Sequence, residues 1–559
     1  MEEEPDASES DADRSRSPAE PSPAPSHSSP TSSRANAFRC FSFSCLTAAR
    51  TLVCLILIAT AATLVVPRAG ADDSLERVRR AGRLVYAGDM EGGGPYAYPE
   101  PEAPGGVAGF EVDLMKRLAR EIGVEPVYSQ GQWDKLLPLL ESGRVDAVVN
   151  GYEWTDQRAR DHLATRPYYV YQLQLIVCRG SPVRCWEDLK SLSRTGGGEW
   201  TVGVLTGSAA DTFAAEQGGP RVRPVRFDGA TDAMLAVQNG QLDATLQDLP
   251  AARFYAGRYP GLELVGPPEA KGYYVIFVRR PDAALRDALD RGIARLADSG
   301  ALRRIYERYG IWTDAQAELA TIPGPLEPVQ GRAADSGWTS LRRFLPRLLD
   351  AARVTITLAI ASMPLAMAIG LFVALGRLYG PRPLSLLLTG YIELIRGTPL
   401  MLQLYVLFYL VKLSPWVAGI AGLAINYAAY EAEIYRAGLQ AIPAGQMEAA
   451  LALGMSRRMA LRRVIVPQAV RIVIPPVTND FIALFKDTSV CSVVTLVELT
   501  KEYNVLAMST GGALEFALAA AMLYMLMSIP LSWFSRWSER RLSGLGAAAG
   551  DAAKGGTPA

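Results

Sequence analysis

Between Arg83 and Trp312, short runs of β-branched and aromatic residues alternate with stretches whose apolar positions recur at helical spacing. The runs LVYAG (84–88), PVYS (126–129), DAVVN (146–150), LQLIVC (173–178), TVGVLTG (201–207), DATLQD (243–248) and YYVIFV (273–278) read as strands. Between the first two, EVDLMKRLAREIG puts Leu114, Leu118 and Ile122 on one stripe with Met115 and Ala119 beside them, as a helix packed on a sheet requires. The alternation predicts an α/β region with largely parallel sheets. Past Pro346 the pattern changes to apolar stretches near 353–376, 398–413, 417–438, 472–499 and 513–534, which read as about five bilayer spans. The second is short, and Pro475-Pro476 and Lys486-Asp487 interrupt the fourth.

An internal repeat refines the α/β region. LLPLLESGRVDAVVNG (136–151) aligns without a gap on AMLAVQNGQLDATLQD (233–248), each copy a helix, a glycine, an apolar residue, Asp-Ala and a strand. Two copies predict two similar lobes. Each delivers polar groups at the carboxyl end of a strand, where open α/β sheets bind ligands. The first copy ends at Asn150-Gly151 and the second at Asp248.

Composition divides the rest of the 559 residues. Residues 1–45 form a leader rich in Ser, Pro and acidic residues that cannot bury enough apolar surface to order itself. Within 46–71, the run TLVCLILIATAATLVV (51–66) precedes Ala69-Gly70-Ala71, the form of a signal-peptidase site. Its length favours a cleaved signal peptide over a membrane anchor. Residues 72–312 are the two-lobed domain, 313–346 a linker with several Pro and Gly, 347–541 the membrane domain and 542–559 a disordered tail. Lys plus Arg balances Asp plus Glu at 57 each, so no global charge points to nucleic acid. Six cysteines are too few for a disulfide scaffold; Cys178 and Cys185 could form one bridge or stay free thiols.

The stretch GGPYAY…GVAGFEVDLMKRLAREIG…WDKLLPLLESGRVDAVVNGYEWTDQRARD…YYVYQLQLIV resembles the periplasmic binding proteins for polar amino acids, with their Gly-Phe-x-x-Asp, Gly-x-x-Asp and Thr-x-x-Arg landmarks. The resemblance implies that Arg158 clamps the ligand α-carboxylate and that Asp248, from the other lobe, takes the α-ammonium. A planar guanidinium offers a carboxylate two parallel bonds, which lysine cannot match. It further implies substrate-binding roles for Trp133 as an aromatic platform, although a core tryptophan is the plain alternative, and for Asp89, Asn150, Gly151 and Ser208. Two positions depart from the family pattern. Glu153 stands where Ser or Thr usually donates to the ligand, so it either neutralises Arg158 or binds a second amine, and the glycines before Pro95 replace an aromatic on the opposite wall.

Topology supplies a separate expectation. With the α/β domain outside, five spans leave the carboxyl terminus inside, and inside loops should be basic. Arg377 and Arg382 follow the first span, Arg457, Arg458, Arg462 and Arg463 the third, and Arg536, Arg540 and Arg541 the fifth, whereas Lys412 and Lys501 are the visible outside positives. The segment EAALALGMSRRMALRRVIVPQ (448–468) is therefore cytoplasmic: a first helix around Gln446–Leu453, a turn at Gly454, and a second helix capped by Ser456 and stopped by Pro467.

Glu448, Ala449, Ala450, Gly454, Ile465 and Pro467 at this spacing resemble the coupling loop of ABC importer permeases. YIELIRGTPLMLQ (391–403), YEAEIYRAGLQAIPAGQMEAA (430–450) and PPVTNDFIALFKDTSVCSV (475–493) resemble the polar amino-acid branch of that family. The implied fold is a two-lobed α/β binding domain followed by an all-α type I importer permease, a homodimer in the inner membrane. The implied function is uptake of a polar amino acid, with two copies of a separate ABC ATPase subunit. No phosphate-binding Gly-x-x-x-x-Gly-Lys-Ser/Thr loop occurs, so the chain should not be an enzyme, and ATP and Mg would sit on the partner. His27 and His162 alone support neither a histidine metal site nor a Ser-His triad. A ligand-gated ion channel and a transport-inactive amino-acid sensor are the rivals built on the same binding domain.

Overall fold

The computed structural model describes residues 73–328 except Gly92 and Thr195, and residues 337–554 except Gly511. The expected leader and the signal peptide or anchor at 46–71 lie outside the described residues.

The first lobe opens with α1 (Ser74–Ala81) and β1 (Arg83–Gly88), then the hairpin strands β2 (Tyr98–Pro99) and β3 (Val107–Ala108), α2 (Phe110–Ile122) and β4 (Glu125–Gln130). It continues through α3 (Leu136–Glu141), β5 (Ala147–Val148), α4 (Asp156–Asp161) and β6 (Leu163–Ala164). The second lobe holds β7 (Tyr169–Cys178), α5 (Trp186–Ser191), β8 (Trp200–Leu205), α6 (Ala209–Gln217), β9 (Val222–Phe227), α7 (Ala230–Gln238), β10 (Ala244–Asp248), α8 (Leu249–Tyr255) and β11 (Leu262–Tyr274). The chain then returns to the first lobe as β12 (Phe277–Val278), α9 (Ala283–Asp298) and α10 (Ala301–Arg308).

The two sheets run β4-β1-β5-β12-β6 and β11-β7-β10-β8-β9. One side of each sheet is parallel, as expected, over β4-β1-β5 and β10-β8-β9, but β12 pairs antiparallel with β5 and β6, and β7 pairs antiparallel with β10 and β11. The antiparallel strands are those on which the chain crosses between lobes. YYVIFV, expected as one strand, is accordingly divided: Tyr273 and Tyr274 end β11 in one sheet, and Phe277 and Val278 form β12 in the other. Alternation of side chains cannot mark this break, because Tyr274, Val275, Ile276, Phe277 and Val278 are all buried. The two crossings lie side by side. Thr165 N donates to Ile276 O at 3.0 Å, Ile276 N to Thr165 Oγ1 at 3.1 Å, and Tyr168 N to Tyr274 O at 3.0 Å.

The repeat is visible in the backbone. α3 and α7 both end at a glycine in the left-handed region, Gly143 and Gly240, each with φ 72°, before β5 and β10. The α2 stripe is buried as predicted, with Leu114, Met115, Leu118 and Ala119 sealed from solvent in one core with Leu84 and Tyr86 of β1. Cys178 and Cys185 are free thiols.

After α10, a 3₁₀ segment, Asp314–Thr321, lies along β7 where an open linker was expected. Buried Gln316 accepts from Val170 N at 2.9 Å and donates to Val170 O at 2.8 Å, continuing the sheet edge with a side-chain amide.

The membrane domain begins with α11 (Gly337–Tyr379), ten residues ahead of the expected boundary, and α12 (Arg382–Arg396). It continues with α13 (Leu400–Tyr405) and its π-turn to Leu410, then α14 (Pro415–Gln440). The second apolar stretch is therefore one broken helical passage from Arg382 to Leu410, interrupted at Gly397–Pro399. α15 (Ala444–Ala452) and α16 (Arg457–Ala460) lead into α17 (Val466–Asp487), α18 (Leu499–Thr510) and α19 (Ala513–Lys554). The fourth stretch ends at Asp487 rather than 499, passing into a 3₁₀ turn over Thr488–Val494. α19 continues through the expected tail as far as Lys554, where alanines favour helix. Among the described residues, Trp338–Tyr379 and Leu514–Trp537 are long and apolar enough to cross a membrane on composition alone. α14 and α17 are of spanning length but carry Glu431, Glu433, Arg436 and Asp480. α11 packs most extensively on α14, where a Cβ added at Gly370 would sit 2.6 Å from that of Glu431.

Candidate functional site

The ends of β1, β5, β8 and β10 and the start of α6 enclose a cleft between the lobes. Asp89, Glu91, Tyr96, Trp133, Asn150, Gly151, Glu153, Ser208, Asp228, Gln247 and Asp248 line it. Seven of the eight expected substrate-binding residues are in that wall; the exception is Arg158.

The floor in the first lobe is a closed hydrogen-bond net. Asp89, at the end of β1, accepts from Trp133 N at 2.8 Å, Glu91 N at 2.9 Å and Gln130 Nε2 at 2.9 Å, while its own N–H donates to Asn150 Oδ1. Burial pushes its carboxyl above the ordinary value. Trp133 donates from Nε1 to Asn150 O at 3.0 Å and stacks on Tyr152 at 4.8 Å, so it is both packed and exposed to the cleft. Gly151 adopts φ 59° and directs its N–H to Glu111 Oε1 at 2.8 Å; an added Cβ would lie 3.0 Å from the Tyr96 ring. Glu111, sealed beneath, also accepts from Tyr168 OH at 2.5 Å, and burial raises its carboxyl to about 7.

In the second lobe, Asp248 accepts from Tyr274 OH and from Tyr96 OH at 3.3 Å. Burial, followed by the nearby Glu153 charge, raises its carboxyl to about 7. Ser208 caps α6, accepting from Asp211 N at 3.3 Å and donating to Leu205 O at 2.8 Å, so its hydroxyl serves the backbone. Tyr96 supplies the aromatic wall that the glycines before Pro95 were expected to remove. Its place next to the Gly-rich turn was the available signal. Gln247 had the repeat itself as a signal, since it precedes Asp248 in the same strand, whereas Asp228 in the cleft wall and Tyr274 behind Asp248 had none.

Arg158 turns out of the cleft wall toward Glu153. Nη1 donates to Glu153 Oε2 at 2.6 Å and to Glu153 O at 3.0 Å, and Nη2 donates to Gly207 O at 3.0 Å in the second lobe. Its guanidinium lies 5.4 Å from the Trp133 ring centre and 5.0 Å from that of Tyr152. Glu153 Oε1 accepts from Ala209 N, at the start of α6, at 2.9 Å. Of the two roles open to Glu153, neutralising Arg158 is the one found, and the pair bolts the lobes together.

The second lobe also touches the membrane domain. Lys501 of α18, 1% exposed, pairs with Asp228 at the cleft wall. Gln241 Nε2 donates to Phe408 O at 2.6 Å and Asn239 Nδ2 to Tyr409 O at 3.0 Å.

The segment that resembles a coupling loop forms α15, a turn at Gly454 with φ 78°, and α16 capped by Ser456, whose Oγ accepts from Met459 N at 3.3 Å. Glu448 and Ala449 are exposed beside Leu453, 80% exposed, while Ala450 and Ile465 pack inward. Pro467 does not stop the second helix. It sits in the first turn of α17, and the π-turn over Leu461–Ile465 accommodates its missing N–H, making α16 and α17 continuous.

Among the described residues no cluster of His, Cys, Asp and Glu could hold a metal ion. Residues 90–311 match the bacterial extracellular solute-binding proteins, family 3, and residues 366–544 match the binding-protein-dependent transport system inner membrane component. The L-cystine transport system permease protein of Bacillus subtilis is 38% identical over 205 residues, 36% of this chain and 88% of the relative. The glutamine transport system permease protein of Escherichia coli is 32% identical over 212 residues, 37% of this chain and 97% of the relative. An ancestral arginine-binding protein solved bound to arginine is 25% identical, covers 41% of this chain and 98% of its own, and superposes with a TM-score of 0.36. The chain thus belongs to the amino-acid ABC transport permeases, with a family 3 solute-binding domain joined ahead of a multi-pass inner-membrane domain.

Proposed function

We propose that this chain is the receptor and permease subunit of an ATP-driven importer of a polar amino-acid-type solute, working as a homodimer with two copies of a separate ABC ATPase. The carrying observation is that the wall of the ligand cleft rests on the permease through the Lys501–Asp228 pair. Solute arriving from outside closes the lobes, and closure alters the surface that Lys501 grips. ATP and Mg²⁺ belong to the partner; this chain supplies binding and passage but no hydrolysis.

α15 and α16 are the ATPase contact. Small Ala449 lets the helix lie close to a partner groove, exposed Leu453 offers apolar area, and Glu448 offers a charge. Arg457, Arg458, Arg462 and Arg463 on the same segment support a cytoplasmic position, with the carboxyl terminus on that side and the binding domain opposite. Membership of the permease family sets the ion-channel rival aside. The sensor rival is separated by function: the purified chain should carry an ATPase subunit with it, and Glu448→Lys should abolish solute-stimulated ATP hydrolysis. Stimulated hydrolysis surviving that change would overturn the docking assignment.

A further inference from the structure

We infer that the solute is an organic cation of amino-acid size that carries no carboxylate, because the chain's own Glu153 fills the place where a ligand carboxylate would be held. The inference rests on the receptor-permease reading and names the class of solute for that cleft.

The two groups beside Glu153 that can hold an anion are the Arg158 guanidinium and the N-terminus of α6. Both are taken. Glu153 is 1% exposed, with one carboxylate oxygen 2.6 Å from Arg158 Nη1 and the other 2.9 Å from Ala209 N. Arg158 spends its remaining contacts on Glu153 O, Gly207 O and the faces of Trp133 and Tyr152. A carboxylate from solution could reach this clamp only by expelling Glu153 into a cleft already lined with acids. An intramolecular carboxylate bound by two charge-assisted contacts has the advantage over a dilute one.

The groups left facing the solute favour positive charge. Asp89, Glu91 and Asp248 line the cleft with no cationic side chain paired to them among the described residues, and Asp228 is satisfied by Lys501. Glu153 and Asp248 lie near enough for the charge of one to raise the carboxyl of the other. An ammonium or guanidinium between them would relieve that repulsion, and Tyr96 adds an aromatic ring to the same wall.

The membrane domain carries an independent sign of the same charge. Glu431 on α14 is fully buried and Asp480 on the adjoining α17 is half-buried, and neither is ion-paired among the described residues. Buried ionisable side chains within spanning helices mark substrate or ion pathways.

The test uses the full-length chain in lipid nanodiscs and equilibrium binding of pairs that differ only by a carboxylate: agmatine and arginine, cadaverine and lysine, putrescine and ornithine, with glutamine as a neutral control. In wild type, at least one amine should bind more tightly than its parent amino acid by about tenfold or more. Glu153→Thr, which vacates the clamp, should reverse that preference. Glu153→Gln keeps the side-chain shape and serves if the threonine variant does not fold; it should narrow the preference. An amino acid bound more tightly than its amine in wild type, and lost in Arg158→Ala, would overturn the inference and leave the receptor reading standing. An unchanged preference in a folded Glu153 variant would also overturn it. Absence of binding by every compound would overturn both.

Discussion

Arg158 and Glu153 form a buried ion pair beside the cleft, with side chains 9% and 1% exposed. Removing one partner strands the other charge in a low-dielectric site, so Arg158→Ala should cost about 3–5 kcal/mol of stability, read as a fall in the thermal midpoint of the purified chain. The residue scale also carries a pH dependence. Asp248 has a folded value of about 7 against an ordinary 3.8, so between those values the folded state holds a proton that the unfolded state has lost. Its contribution to stability is therefore complete below 3.8 and lost as pH rises through about 7. Asp248→Asn should flatten this part of the unlioganded stability profile, leaving the parallel contribution of Glu111, also at about 7, in place. Asp248 faces Tyr96, Tyr274 and Glu153, and none of these can neutralise its charge. Cation affinity should accordingly strengthen as pH rises through about 7 in wild type and lose that slope in Asp248→Asn. The internal repeat placed Asp248 at a strand end beside the cleft, and resemblance to the binding-protein family implied Trp133 and Glu153 there. The sequence left open which way Glu153 would turn, since that depends on Ala209 N arriving from the other lobe.

At the scale of elements, Gly143 and Gly240 close the helices of the two repeat copies at the same left-handed φ, with open space or only the far end of Arg279 near their Cβ positions. Gly143→Ala and Gly240→Ala should therefore cost backbone strain alone, about 1 kcal/mol each, and do so nearly additively in a thermal melt of the double variant. A much larger loss at one site would mean that the repeat copies are not equivalent. This part of the fold was legible because a gapless repeat fixes helix, turn and strand together. The crossing strands were not, because Tyr274 and Phe277 are both fully buried and hydrophobic periodicity carries no mark of a change of sheet. Pro467 misled for a related reason. Proline stops a helix that follows ordinary α-helical spacing, but not one relieved by a π-turn immediately before it.

For the whole molecule, two domains recognisable by pattern meet through residues that no pattern singles out. Lys501 appeared in the sequence as a minor outside charge, yet it is buried against Asp228, with Gln241 and Asn239 holding the carbonyls of Phe408 and Tyr409 nearby. Lys501→Met should loosen this contact, seen as faster amide hydrogen exchange in α7 and the turn before it, while binding of a small solute to the cleft persists. Unchanged exchange there would show that the carbonyl contacts suffice. Finally, Gln316 stitches the segment leaving the receptor onto β7, so about twenty residues of sequence join that anchor to the permease at Gly337. A tether that short keeps the receptor at a local concentration on the order of millimolar. Uptake should then be indifferent to how many loose receptor molecules surround the membrane, and its rate should follow the number of assembled transporters alone.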